Sequence, residues 1–215
     1  MKNIYEDDNI LIVFKPQGIE TASETHKDTL EAQLKAQTKG VVACHRLDVN
    51  TEGLVIFAKN QKAAAEIRAA FENDTIEKTY LALCFGNLRK SPLTLVGYLV
   101  KDARSGMVQV TKEKVPNSKP IKTILKFVKT VGDFFLIEVK PITGRTHQIR
   151  AHLASIGLSI VGDGKYGDFK LNKAYNMKRQ CLCATMLKFN FAPTSFLHYL
   201  NKKHIEVTPT FLNKK

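Results

Sequence analysis

The sequence of 215 residues lacks the marks of several protein classes. It has four cysteines and no Cys-x-x-Cys pair, so we expect reduced, mostly buried thiols and no metal site. The first eight residues are polar and acidic, unlike a signal peptide. The apolar run 10–14 is far shorter than the ~20 residues that a membrane helix needs. No repeat or low-complexity segment occurs. These absences predict a cytoplasmic globular protein.

Acidic residues are also scarce relative to basic ones. Lys and Arg number 33 against 20 for Asp and Glu, which gives a formal net charge of +13. Such a surface attracts polyanions, of which RNA and DNA are the obvious candidates. A lysine-rich genome or a need for solubility produces the same balance. Composition alone therefore leaves nucleic-acid binding and simple solubility equally open.

Short apolar runs alternate with turn signals and helical patterns along the chain. The run 10–15 predicts a strand, and Asn60 predicts the start of a helix over 61–72. Gly132 and Asp133 predict a hairpin between strands 121–130 and 134–140. We expect a single domain over 1–215 of the α+β class, with a mixed, largely antiparallel central sheet and flanking helices. Other predicted elements are helices over 29–38 and 146–156 and strands over 54–58, 78–85, 95–99, 107–110, 180–190 and 204–207.

A polar cluster around Asp48 lies between two apolar segments. Polar loops on rigid strands are frequent sites of chemistry. Arg46 and His45 precede the aspartate, and positive charge favours the ionised carboxylate that a nucleophile requires. The alternative is a turn in which Asp48 only bonds its own backbone. For an isolated aspartate this alternative is the better interpretation.

A second polar cluster spans residues 144–152. On a helical wheel Ile149, Leu153 and Ile156 share an apolar face, and Arg150 lies beside it. A partly buried arginine needs an anionic partner, and we expect Asp48 to be that partner. The alternative is a basic helix whose Arg145, His147 and Arg150 are solvated phosphate contacts.

Together the two clusters resemble the RluA-type RNA pseudouridine synthases. The resemblance covers the catalytic domain only, from about residue 10 to 190, without the S4-type domain of many relatives. Three places depart from the family pattern: Glu52 replaces a serine, Leu158-Ser159 replace His-Pro, and Cys183 replaces a histidine. The matching motifs, in family order, are Lys15-Pro16-x-Gly18, His45-Arg46-Leu47-Asp48-x-x-Thr51-x-Gly53-Leu54, Glu77-Lys78-x-Tyr80-x-Ala82, Lys140-Pro141-x-Thr143-Gly144-Arg145-Thr146-His147-Gln148-Ile149-Arg150-x-His152-Leu153 and Gly162-Asp163 with Tyr166-Gly167.

The resemblance implies an isomerase that converts uridine to pseudouridine in RNA without a cofactor or a metal. It implies that Asp48 is the essential carboxylate and that Tyr80 stacks on the uracil and serves the proton transfer at C5. It also implies that Arg150 pairs with Asp48 and that Arg46 helps to hold the RNA open. Attack on ribose C1′, attack on the base and deprotonation of the sugar all stay open as the role of Asp48. We assign His45, Arg145 and His147 to RNA binding. Because a stacked base cannot reach a carboxylate, the target uridine must flip out.

Two other functions account for part of the pattern. A non-catalytic RNA-binding or ribosome-assembly protein explains the charge but does not need Asp48, Tyr80 and Arg150 together. A glycosylase uses the same carboxylate but releases the base. For a pseudouridine synthase, large-subunit ribosomal RNA and transfer RNA are both open as substrates, and we expect a monomer.

Overall fold

The computed structural model describes residues 2–38, 40–88, 90–102 and 106–213. The chain divides into two compact units, one of residues 1–78 and 183–215 and the other of residues 79–182. We call them the first and the second unit. In the described part of the chain, no helix is long and apolar enough to cross a membrane.

Eleven strands and four α-helices are present in the described residues. The helices are α1 (Leu30–Lys35), α2 (Gln61–Glu72), α3 (Gln148–Ala154) and α4 (Phe169–Ala174). The strands are β1 (Lys2–Glu6), β2 (Ile10–Lys15), β3 (Val42–Ala43), β4 (Glu52–Ala58), β5 (Ile76–Cys84), β6 (Leu93–Lys101), β7 (Val108–Thr111), β8 (Lys119–Val131), β9 (Phe134–Pro141), β10 (Leu182–Phe189) and β11 (His204–Glu206).

In the first unit, β4 lies in the middle of the sheet. It pairs antiparallel with β2 and β3 and parallel with β10, while β1 and β11 add to β2 and β10. Every residue of β4 is buried. Its Leu54 and Ile56 pack with Ile67 of α2 in one hydrophobic core. A strand buried on both faces is a rigid base for the loop that precedes it.

In the second unit, the sheet is antiparallel in the order β5, β9, β8, β6, β7. Gly132, with a φ of 57°, makes the tight turn of the β8–β9 hairpin. Ala151 of α3 packs on Leu99, Val108 and Ile121 of the sheet. The helix is thereby fixed against β6, β7 and β8.

The predicted α+β class, with a mixed and largely antiparallel sheet, is confirmed. So are β2 and α2, which have the predicted bounds, and the hairpin at Gly132. The prediction for α3 was wrong at its start. His147 has left-handed backbone angles (φ 55°), so the helix begins at Gln148 instead of 146. β1 and α4 were not predicted from the sequence.

Candidate active site

The loop that carries Asp48 connects β3 to β4 and is held from both sides. Thr21 Oγ1 accepts the Leu47 N–H at 3.1 Å. Gly18 N–H donates to the Val49 carbonyl at 2.9 Å, and Thr51 N–H donates to the Asp48 carbonyl at 3.0 Å. Leu47 is buried and Asp48 is half-buried, whereas Arg46 is exposed. Backbone hydrogen bonds on each side of Asp48 therefore fix the position of the main chain from which its side chain extends.

Lys15, the last residue of β2, is a further anchor of this loop. Its side chain is fully buried, and its ammonium donates to the carbonyls of Pro16, Ile19 and Val49 at 2.8–3.0 Å. Burial lowers the pKa of Lys15 to about 8, although the charges of Asp48 and Glu52 act in the opposite direction. Lys15 was identified from the sequence only as part of the motif Lys15-Pro16-x-Gly18, and its anchoring role was not predicted. A lysine inside an otherwise apolar strand was the available signal.

The contacts of His45 support the fold. Its Nε2 accepts the Ile56 N–H at 3.0 Å, and its ring lies 4.5 Å from the ring of Phe71. Desolvation, followed by the positive charge of Lys78, lowers the pKa of His45 to about 3. The imidazole is therefore neutral at physiological pH, and an RNA contact from it would not involve a cationic ring.

Glu52 points into the first unit. It is the first residue of β4, and only 2% of its surface is exposed. Its two carboxylate oxygens accept the N–H and the hydroxyl of Thr210, at 2.8 and 2.6 Å. Behind it, Gly53 (φ 121°) lies so close to the Ala184 backbone that a Cβ would be 2.3 Å from the carbonyl oxygen. The base of the Asp48 loop is thus closely packed.

In the second unit, Gln148 organises the start of α3. Its Oε1 accepts the Thr143 hydroxyl at 2.7 Å and the Arg145 N–H at 3.1 Å, and its Nε2 donates to Thr123. One buried amide therefore joins the loop before the helix to β8. His152, one turn on, lies 3.0 Å from the same Thr123 hydroxyl, and burial lowers the pKa of His152 to about 4.

Arg150 is buried and ion-paired. Only 5% of its surface is exposed, and its Nε and Nη2 donate to the two oxygens of Asp163 at 2.7 and 2.8 Å. The N–H groups of Lys165 and Tyr166 donate to the same carboxylate. Burial opposes ionisation of Asp163, but the bonds and charge of Arg150 outweigh it and lower the carboxyl pKa. An anionic partner for Arg150 was correctly expected, yet the partner in its own unit is Asp163.

This ion pair rules out the interpretation of Arg150 as a solvated phosphate contact. The expected pairing of Arg150 with Asp48 stays a prediction, since the two residues belong to different units. Asp163 was missed as a functional candidate because it was read only as part of a glycine-rich motif. The sequence feature that could have indicated Asp163 is an acidic residue in a segment with few others.

His147 and Arg145 differ in their surroundings. The Tyr166 hydroxyl accepts the Val108 N–H at 2.9 Å and lies 3.0 Å from His147 Nδ1. Because the hydroxyl already accepts one bond, it can donate its own proton to Nδ1. The predicted helix from residue 146 included His147, which in fact precedes α3. Arg145 is exposed, and its RNA contact stays a prediction.

Tyr80 lies in the middle of β5, opposite Val139 of β9. It is 8% exposed, while Ala82 and Cys84, which follow at alternate positions, are fully buried. The three residues share one face of the strand, because successive side chains of a strand point to opposite faces. The assigned part of Tyr80 in the reaction stays a prediction.

The chain matches a known protein family over more than half of its length. The RNA pseudouridylate synthase family model matches residues 9–155, which include Lys15, Asp48, Tyr80 and Arg150. The chain belongs to this family. The human RNA pseudouridylate synthase domain containing 1 has the same fold, with a TM-score of 0.76 at 26% identity over 98% of this chain and 91% of the human one.

Bacterial relatives are similar along most of the chain. A protein named ribosomal large subunit pseudouridine synthase C from Vibrio cholerae is 31% identical over 208 residues, or 95% of this chain. A protein of the same name from Rickettsia bellii is 36% identical over 173 residues, or 78% of this chain. The matched region spans 64% of the first relative and 57% of the second.

Proposed function

We propose that this protein is an RNA pseudouridine synthase with Asp48 as its catalytic carboxylate. One observation carries the proposal: in a chain of this family, Asp48 stands on a loop whose backbone is pinned by a fully buried lysine. Fixing a reacting group before the substrate arrives lowers the entropic part of the barrier. A surface turn that bonds only its own backbone would not need this anchor.

In the proposed reaction, the N1–C1′ bond of the target uridine breaks, the uracil turns, and a C5–C1′ bond forms, while C5 loses its proton and N1 gains one. The reaction is an isomerisation, so it needs no external oxidant or reductant. Tyr80 is proposed to stack on the uracil, and Arg150 to orient Asp48 while Asp163 holds the guanidinium. Flipping the uridine out costs a few kcal/mol, less in a loop than in a duplex, which favours a structured RNA loop as substrate.

Large-subunit ribosomal RNA is the proposed substrate, because the bacterial relatives are named for it. Arg46 and Arg145 are exposed cations and are proposed to contact phosphates. The neutral ring of His45 would contact RNA only through hydrogen bonds or stacking, and His147 is also proposed to bind RNA. A monomeric state and a cytoplasmic location stay predictions from the sequence.

The experiment is product analysis. Purified protein is incubated with ribosomal and transfer RNA from a strain that lacks its gene, and pseudouridine is then mapped on both. We expect one or a few uridines in large-subunit ribosomal RNA to become pseudouridine, with no free uracil. Release of uracil would identify a glycosylase instead. Binding without any conversion would identify a non-catalytic RNA-binding protein.

A further inference from the structure

Glu52 is a buried carboxylate at the base of the proposed catalytic loop. It directly follows Thr51, whose N–H bonds the carbonyl of Asp48. An ionised carboxylate leaves water only at a large cost in free energy, unless donors and positive charge compensate for it. The groups that compensate Glu52 therefore indicate what the residue does.

The donors come from the C-terminal part of the chain. Thr210 begins a 3-10 turn (Thr210–Leu212), and both its N–H and its hydroxyl donate to Glu52. Cys183 is the direct partner of Glu52 across the parallel β4–β10 pair. Burial, together with the charge of Glu52 and a hydrogen bond to it, raises the pKa of the Cys183 thiol. Two of the three departures from the family pattern, Glu52 and Cys183, are thus neighbours.

The positive charge comes from Lys15. Asp48 and Glu52 are the two charged groups that act on this buried ammonium, and both favour its protonated form. Protonated Lys15 has three N–H groups, and it donates to three carbonyls, one of them that of Val49. Loss of its proton would remove one of these donors and the positive charge beside Asp48.

We propose that Glu52 is a positioning residue for the isomerisation: its carboxylate ties the C-terminal turn at Thr210 to the end of the Asp48 loop, and its negative charge acts on the Lys15 ammonium that holds the same loop. The inference rests on the proposed function of Asp48. Glu52 touches no reacting atom and acts through Lys15 and the backbone of the loop. Removing its charge is therefore expected to change the rate of the chemical step more than the affinity for RNA.

The test is Glu52→Gln, which keeps the size of the side chain and removes its charge. Single-turnover pseudouridine formation at saturating RNA is measured between pH 6 and pH 9. The wild-type rate should fall above pH ~8, where Lys15 loses its proton. In the variant the fall should begin at a lower pH; a pKa lower by one unit would reduce the rate about fivefold at pH 8 and about tenfold at pH 9, because it changes the protonated fraction by those factors. The dissociation constant for RNA should change less than about twofold.

Thr210→Val is the matched control. It removes one donor to Glu52 and leaves all charges in place, so stability should fall while the alkaline limit stays at the wild-type pH. Thr210→Ser, which keeps the hydroxyl, should restore stability. If Glu52→Gln does not fold, Glu52→Asp replaces it, and an alkaline limit displaced despite the retained charge would overturn the proposal.

Two further results would also overturn it. One is a wild-type rate that does not fall up to pH 9. The other is a Glu52→Gln variant with the rate and pH profile of the wild type, whatever its melting temperature. Failure of the proposed function is distinguishable from both, because the wild-type protein would then form no pseudouridine at any pH.

Discussion

At the scale of single residues, the buried ion pair of Arg150 and Asp163 is expected to stabilise the fold, which unfolding experiments can test. Both oxygens of Asp163 bond the guanidinium, and both side chains are almost completely buried. Removing one member of such a pair leaves an uncompensated buried charge, which costs about 3–5 kcal/mol. The helical wheel indicated the burial of Arg150, but sequence spacing does not say which carboxylate reaches it.

Asp163→Asn should therefore destabilise the protein by roughly 3 kcal/mol near pH 7, as measured by urea unfolding. The folded-state pKa of Asp163 lies below its ordinary value. Its contribution is accordingly present above about pH 4 and disappears as the pH falls through the folded pKa. The difference between wild type and variant should shrink under strongly acidic conditions.

Asp168→Asn is the matched control, an identical change five residues away. Asp168 is exposed and accepts the Leu171 N–H at the start of α4, a bond that asparagine can also accept. It should change stability by less than about 1 kcal/mol. Equal effects of the two substitutions at pH 7 would contradict the assigned role of the buried ion pair.

At the scale of elements, periodic segments were predictable and short or irregular ones were not. The apolar run of β2 and the capped stripe of α2 have the bounds that the sequence indicated. β1 was missed because its residues are largely polar and none is fully buried. α4 has six residues and one buried side chain, so it has no apolar stripe to detect. The start of α3 depends on a left-handed residue and a buried glutamine, which periodicity does not encode.

The same contrast applies to the candidate site. Asp48, Tyr80 and Arg150 were identified because they belong to dense, ordered motifs. The supporting contacts of Lys15, Glu52 and Thr210 join residues up to 158 positions apart in the chain. The Glu52–Thr210 contact arises only once distant segments are brought together, so no local pattern predicts it, and at Lys15 the sequence shows a charged residue in an apolar run but not its bonding partners.

The N-cap of α2 gives an element-scale prediction. Asn60 Oδ1 accepts the Ala63 N–H at 2.9 Å, and its amide donates to Asn9. Asn60→Ala should cost about 1 kcal/mol of stability, because a helix N–H loses its acceptor. Thermal unfolding followed by circular dichroism checks this. Asn60→Asp, which keeps the acceptor, should cost less, and equal losses in the two variants would rule out the capping bond as the cause.

At the scale of the whole molecule, RNA binding and catalysis should be separable. With a net charge of +13, affinity is expected to come mainly from phosphate contacts, and it should fall steeply with salt. Replacing Asp48 by asparagine makes the protein one charge more positive. The variant should therefore bind RNA at least as well as the wild type at the same salt concentration.

The most direct measurement of the central claim is single-turnover conversion by Asp48→Asn. Wild-type and variant protein are saturated with the same RNA at one salt concentration, and pseudouridine at the mapped position is followed over time. We predict binding within about twofold of the wild type and no conversion beyond the level without protein, because asparagine has the shape of aspartate without its charge. Conversion by the variant at the wild-type rate would contradict the account.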